Sequence, residues 1–181
     1  MSTGRIGLFV LVMMMSAGCA ERPLELDERG RATLCLPAGE QQWVPLHTEL
    51  AYTEEARETG LSDRERLPRR EGMLFLYPEP QPEDNRFWMH QTPMPLDIAF
   101  LDTGGTILNS FSMRPCVTDD PDSCNRHHAG VEHQAVLEVN KGLLEALGVS
   151  EGDQLRLGSV EGQDQCDDPS PFAPSLFERA H

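Results

Sequence analysis

Gly72-Met-Leu-Phe-Leu-Tyr77, then a Pro-rich segment, then Phe87-Trp-Met-His-Gln-Thr-Pro-Met-Pro-Leu-Asp-Ile-Ala-Phe-Leu-Asp102 is the stretch that decides the fold. Met73 to Tyr77 is a continuous apolar run and predicts a buried strand. Pro78, Pro80 and Pro82 predict an extended, exposed loop after it, because proline fixes φ and offers no N–H. Phe87 to Met89 and Leu96 to Leu101 are the next expected strands. In the second of these, alternation puts Leu96, Ile98 and Phe100 on one face and Asp97, Ala99 and Leu101 on the other. The same period puts Trp88 and His90 on one face.

Working outward, Gly104-Gly105 signals a hairpin into a strand from Thr106 to Met113. A loop is expected to about Gly130, and a strand from Ala135 to Val139. Asn140 is positioned to cap a short helix bearing Leu143, Leu144 and Leu147 and ending at Gly148. Gly152-Asp153 then turns the chain into a last strand, Gln154 to Leu157. Upstream, Ala32 to Leu36 and Trp43 to Leu50 read as strands. Thr53 can cap a helix with Glu54 and Glu55 in its first turn, and Gly60 can end it in a left-handed cap. Ser62 and Glu65 have capping-box spacing for one more helical turn before Pro68. Many short strands with two or three brief helices predict an α+β, mainly β domain, folded as a small closed or partly closed β-barrel.

The 181 residues suffice for one domain with a core. Its expected limits are 32–160, after a polar tether over 19–31 and before an acidic, Pro-rich tail over 161–181. In that tail Ser175 and Glu178 have the spacing of a final boxed turn. The formal net charge is −15 and Lys141 is the sole lysine. Phosphate backbones repel such a surface, so nucleic acid is not an expected partner.

The N-terminus reads as an export signal over 1–18. Arg5 precedes an apolar run from Ile6 to Met15, too short to span a hydrocarbon core of about 30 Å. Ser16-Ala17-Gly18-Cys19 is similar to a bacterial lipobox, with Ser16 where an aliphatic residue is usual. Lipidation of Cys19 would make the chain a membrane-anchored lipoprotein on the periplasmic or extracellular side. Ala20, in place of an inner-membrane retention aspartate, points to the outer membrane in a Gram-negative source. The alternative is plain signal cleavage with Cys19 incidental. Four cysteines then remain, Cys35, Cys116, Cys124 and Cys166, and an even number in an exported chain predicts two disulfides. The closeness of Cys116 to Cys124 favours a local bridge, with Cys35–Cys166 closing the domain.

Asp97 is enclosed by apolar neighbours and is a candidate acid/base or ligand-anchoring group. Its structural alternative is to accept backbone or Thr92 hydrogen bonds at the Pro93-Met94-Pro95 turn. Glu138, in Val136-Leu137-Glu138-Val139, raises the same question, with an arginine pair as its alternative. His90 beside Trp88 could bind a ligand or move a proton, or be an ordinary strand residue. Phe75, Tyr77, Phe87, Trp88, Met89 and Met94 either line a pocket or fill a core. His127, His128 and His133 follow Cys124, but their spacing matches no metal motif, and Cys124 is expected in a disulfide. The sequence contains no nucleophile elbow, phosphate loop, Cys-x-x-Cys or dinucleotide fingerprint. No metal and no cofactor are expected.

Gly60-Leu61, Gly72-Met73-Leu74-Phe75, Trp88-Met89-His90-Gln91-Thr92, Pro95-Leu96-Asp97, Leu137-Glu138 and Gly152-Asp153 follow one another in an order and spacing that resembles a bacterial and archaeal family, the domain of unknown function 192. The resemblance covers roughly residues 44 to 158. His90 and Gln91 depart from it, standing where lysine and asparagine are usual. The resemblance implies a fold and an exported locale more than an activity. Two functional expectations follow. The preferred one is non-catalytic binding of a small ligand, a glycan or an envelope partner at Trp88, His90, Thr92, Asp97 and Glu138. The alternative is a hydrolase-like enzyme using Asp97, Glu138 and His90 as acid/base groups, which requires the three to converge on one cleft. A third reading is a structural domain that stiffens an envelope assembly.

Overall fold

The computed structural model describes residues 24–39, 42–160 and 165–180. The expected signal segment and Cys19 lie outside the described residues. Nine strands and two short helices follow in chain order: β1 (Ala32–Pro37), β2 (Trp43–Ala51), α1 (Glu54–Thr59), β3 (Glu71–Gln81), β4 (Arg86–Trp88), β5 (Leu96–Leu101), β6 (Ile107–Met113), β7 (Arg126–His128), β8 (His133–Asn140), α2 (Leu143–Leu147) and β9 (Arg156–Leu157). Seven of them form one sheet in the order β6-β5-β8-β3-β2-β1-β9, and β4 pairs with β7 apart from it. The β2–β3 pair is parallel and its crossover carries α1; the other pairs are antiparallel. The domain is therefore mainly β with two brief helices.

Alternation along the strands divides the core in two, one half on each face of the sheet. Leu74, Leu76, Ala99, Leu101, Leu137 and Val139 turn to one face, where they meet Leu34, Leu36 and Leu46. Met73, Phe75, Ile98, Phe100 and Val136 turn to the other, under Phe87 and Met89. Gly72 has its place because β3 and β8 approach closely there: a Cβ would lie 2.7 Å from the Glu138 carbonyl oxygen. The ladder does not close into a barrel. Its two edges meet through the isolated bridge between Thr106 and Gln154, with Ile107 N–H donating to the Asp153 carbonyl at 2.8 Å.

Several expectations need correction. The prolines after Tyr77 do not end β3, which continues to Gln81 with an irregularity in its pairing to β8. Pro78 and Pro80 fall in that irregular part, where the missing N–H groups break no paired register. Ser62 caps no helix: residues 61–63 form a turn, Asp63 has φ 61°, and the Ser62 hydroxyl donates to the His90 carbonyl. Asn140 does not cap α2 either. Its amide donates to the Leu67 and Pro68 carbonyls, and Gly142, in a left-handed conformation, begins the helix. Thr53 does cap α1, accepting from Ala56 N–H at 3.2 Å. Gly60 ends that helix with φ 49° and ψ −131°, outside the left-handed helical basin. The loop expected before Gly130 contains β7.

Both expected disulfides are present, Cys35–Cys166 and Cys116–Cys124. The first closes a sequence separation of 131 residues, worth about 5 kcal/mol in the chain-entropy description. It also holds residues 165–180 against the domain. Phe172, Leu176, Phe177 and Ala180 enter the core here, so this acidic, Pro-rich stretch is a packed element over its described part. Its only regular turn is a 3-10 helix at Pro174–Leu176. At the other end, Arg31 pairs with Asp27 at 2.8 Å and Glu71 at 2.6 Å, which ties residues 27–31 to β3.

Candidate functional site

Glu138 lies in β8, the central strand, opposite Met73 of β3 and Ile98 of β5. Its face of the sheet is therefore the one covered by Phe87 and Met89. The residue is 6% exposed. Among the described residues no hydrogen bond or ion pair reaches its carboxyl, and the arginine partner considered from sequence is not there. Burial alone pushes its pKa up to about 8. At neutral pH this is a protonated carboxylic acid in an apolar setting.

That carboxyl forms part of the wall of a cavity of about 430 Å³, whose lining includes Phe75, Tyr77, Phe87, Trp88, Met89 and Thr92. Helix α1 covers one side and contributes Glu54, Arg57, Glu58 and Thr59. The helix is docked by Arg57, whose guanidinium donates to the Tyr52 and Leu76 carbonyls, both at 2.9 Å, and sits 5.0 Å from the centre of the Tyr77 ring. Burial pushes the Tyr77 phenol up to about 12, and the nearby Glu138 charge adds to the rise. Behind Phe87, His133 is buried against Phe100 and Phe87, and burial lowers its pKa. Phe75 meets Phe87 edge to face at 6.3 Å.

The other residues expected at the site scatter. β4 spans Arg86–Trp88, so the strand expected over Phe87 to Met89 ends one residue early and His90 is not an ordinary strand residue. Gln91 has φ 53°, and His90 and Thr92 instead bridge singly to Cys116. Trp88 reaches the cavity, but Arg126 lies over its ring at 3.8 Å and the His90 ring is 5.4 Å away. His90 Nε2 lies 3.1 Å from the Thr118 carbonyl, outside the cavity lining. Met94 is buried in the core without lining the cavity.

Asp97 pairs in register with Val139, one residue along from Glu138, and so turns to the opposite face of the sheet. Its carboxylate accepts from the Ser112 hydroxyl at 2.6 Å and from Gly142 N–H at 2.7 Å. The Gly142 bond is the backbone contact that the structural alternative named, and Ser112 stands where Thr92 was expected. Asp97, Glu138 and His90 do not converge, which removes the geometry that a shared acid/base mechanism requires. The sequence reading missed α1 as one wall of the cavity. Its Glu54-Glu55-Ala56-Arg57-Glu58 pattern reads as a solvated helix and carries no sign of what it covers. Among the described residues no group of three or more His, Cys, Asp or Glu side chains is arranged to hold a metal ion. No helix among them is long and apolar enough to cross a membrane.

Comparison with known proteins adds a family and two similar solved structures. Residues 36–157 match the model of DUF192, described as "Uncharacterized ACR". A solved structure from Sinorhizobium meliloti 1021, described as a "putative transcription regulator", is 29% identical, with a TM-score of 0.62 over 76% of this chain and 98% of that one. A protein of unknown function from Novosphingobium aromaticivorans DSM 12444 is 28% identical, with a TM-score of 0.59 over 79% of this chain and 97% of that one. No curated protein matches the chain. The family match spans well over half of the sequence, from the end of β1 through β9, and the chain belongs to the DUF192 family.

Proposed function

We propose that this chain is a non-catalytic binding module of the cell envelope, exported and held at the membrane by a lipid on Cys19, and that its cavity beside Glu138 receives a small ligand. The observation that carries the reading is the Glu138 carboxyl itself, 6% exposed and without a partner among the described residues, in the wall of a cavity of about 430 Å³. Its oxygens keep access to the cavity, where the groups of a bound ligand would meet them. A second observation favours binding over chemistry: no cysteine, no histidine and no second carboxylate from the sheet joins Glu138 in the lining, and the Ser62 and Thr92 hydroxyls there donate to the His90 carbonyl, with no base beside them. The formal net charge of −15 disfavours nucleic acid as the partner, whatever role its Sinorhizobium neighbour has. Two disulfides support an oxidising compartment. We also read the curled sheet as a partly closed barrel, supported by the Thr106–Gln154 bridge across its edges.

The test is a crystal structure of the mature chain purified from its own envelope fraction. Density beside Glu138 and Phe87 is expected. A cavity holding only water, with a melting temperature unmoved by envelope extract, contradicts the binding reading. Metabolic labelling with a fatty-acid analogue tests the anchor: Cys19→Ser abolishes the label and releases the chain from membranes, and an unlabelled wild type contradicts it.

A further inference from the structure

We infer that the cavity is selective for a small organic cation, an ammonium or guanidinium group seated against Glu138 with Phe75, Phe87 and Met89 around it. This rests on the binding reading above and specifies its ligand. Three features of the lining carry it.

The first is charge. Glu138 is the ionisable group buried in the cavity wall, and no described residue forms a hydrogen bond or ion pair with its carboxyl, so a ligand cation is what would hold it in the ionised form. Arg57, the lining guanidinium on the helix side, is engaged with the Tyr52 and Leu76 carbonyls and the Tyr77 ring. Arg86 lines the cavity from an exposed position, as do Glu54 and Glu58. Neither guanidinium of the lining is hydrogen-bonded or ion-paired to the Glu138 carboxyl.

Hydrogen-bond polarity is the second. The Ser62 hydroxyl donates to the His90 carbonyl at 3.1 Å, and the Thr92 hydroxyl donates to the same oxygen at 3.4 Å. Both residues line the cavity with their hydrogens committed, so their oxygens are left as acceptors. Three acceptor groups beside π faces and a thioether suit a ligand rich in donors and positive in charge.

The third is what the walls lack. Trp88, the ring best suited to stack on a sugar, already has Arg126 over it at 3.8 Å. An anion gains nothing from the ionised form of Glu138 and approaches a chain of net charge −15.

Seating the cation transfers the Glu138 carboxyl proton to solvent: the neutral acid becomes a carboxylate paired with the ligand, and one proton is released. The neighbouring groups do not confuse the count. Burial holds the Tyr77 phenol on β3 up at about 12. His133 on β8 is held below its usual range by burial, and β5 presents Ile98.

The experiment titrates the full chain with n-butylammonium, n-butylguanidinium, n-butanol and butyrate. Amide shifts of Phe75 and Met89 report occupancy, and calorimetry at neutral pH in phosphate and in Tris counts protons. The cations are expected to saturate at about tenfold lower concentration than butanol and to release about one proton. Glu138→Gln removes that preference, bringing the cations to the concentration range of butanol. Butanol equal to the cations, or cation binding without proton release, overturns the inference while leaving a binding cavity in place. Silence of both amides to all four probes overturns it as well. The proton count needs no variant, so it stands even where Glu138→Gln fails to fold.

Discussion

Asp97 and Glu138 sit on adjacent strands one residue out of register, and the sheet separates them: Asp97 pairs with Val139, while Ile98 pairs with Glu138. The two acids therefore serve different ends. Asp97 is satisfied by Ser112 and Gly142 and ties β5 to β6 and to the start of α2. Glu138 is left without a partner beside a cavity.

Asp97→Asn keeps the shape but replaces one accepting oxygen with an amide that must face a donor. A loss of roughly 2–3 kcal/mol is expected, because charge-assisted bonds are broken and a buried donor is stranded. Urea unfolding measures it. Probe binding at the cavity should be unchanged, and a variant of full stability that loses binding would return Asp97 to the site.

Glu138 makes stability fall as pH rises. Its pKa moves from 4.5 to about 8 on folding, so between those values the native state holds a proton that the unfolded state has lost. Stability then declines by up to about 1.4 kcal/mol per pH unit across that window, is unaffected by this group below it, and levels above it. Unfolding midpoints of wild type and Glu138→Gln, measured through the window, should diverge steadily, with the variant the more stable at the alkaline end.

Gly72→Ala forces β3 away from β8, since its Cβ would meet the Glu138 carbonyl oxygen at 2.7 Å. A cost of about 2–4 kcal/mol is expected from strained packing beside the site. Gly142→Ala has open space and meets only its positive φ of 83°, so about 1 kcal/mol is expected. Equal losses in thermal melts would contradict the close-approach argument.

The disulfides are unequal. Replacing Cys35 and Cys166 with serine should cost about 5 kcal/mol and loosen residues 165–180; replacing Cys116 and Cys124 should cost roughly 2.5 kcal/mol. The second pair also steadies the segment that His90 and Thr92 bridge through Cys116. Hydrogen exchange on each variant separates the two effects, with faster exchange at Phe172–Phe177 in the first and at Met89–Thr92 in the second.

Strands with strong alternation were legible from sequence. Leu96 to Leu101 and Ala135 to Val139 fall where period two places them, and cysteine spacing found both bridges. The site was legible only in part. Glu138, Trp88 and Thr92 do reach the cavity. The lid of the cavity was invisible, because α1 shows a polar pattern whose burying partner is distant in sequence. Local turn chemistry misled twice, at Ser62 and Asn140, where side chains left the cap positions for carbonyls of other segments. Phe172 and Phe177 were hidden by their acidic, Pro-rich setting, since composition reports an average and packing selects individual rings.

The central claim is that Glu138 is a protonated acid waiting beside a cavity, and carbon-13 NMR titration of its side-chain carboxyl tests that directly. A midpoint at about 8 is predicted. A midpoint at the ordinary 4.5 would mean that the carboxylate is solvated or paired, and the account would be wrong.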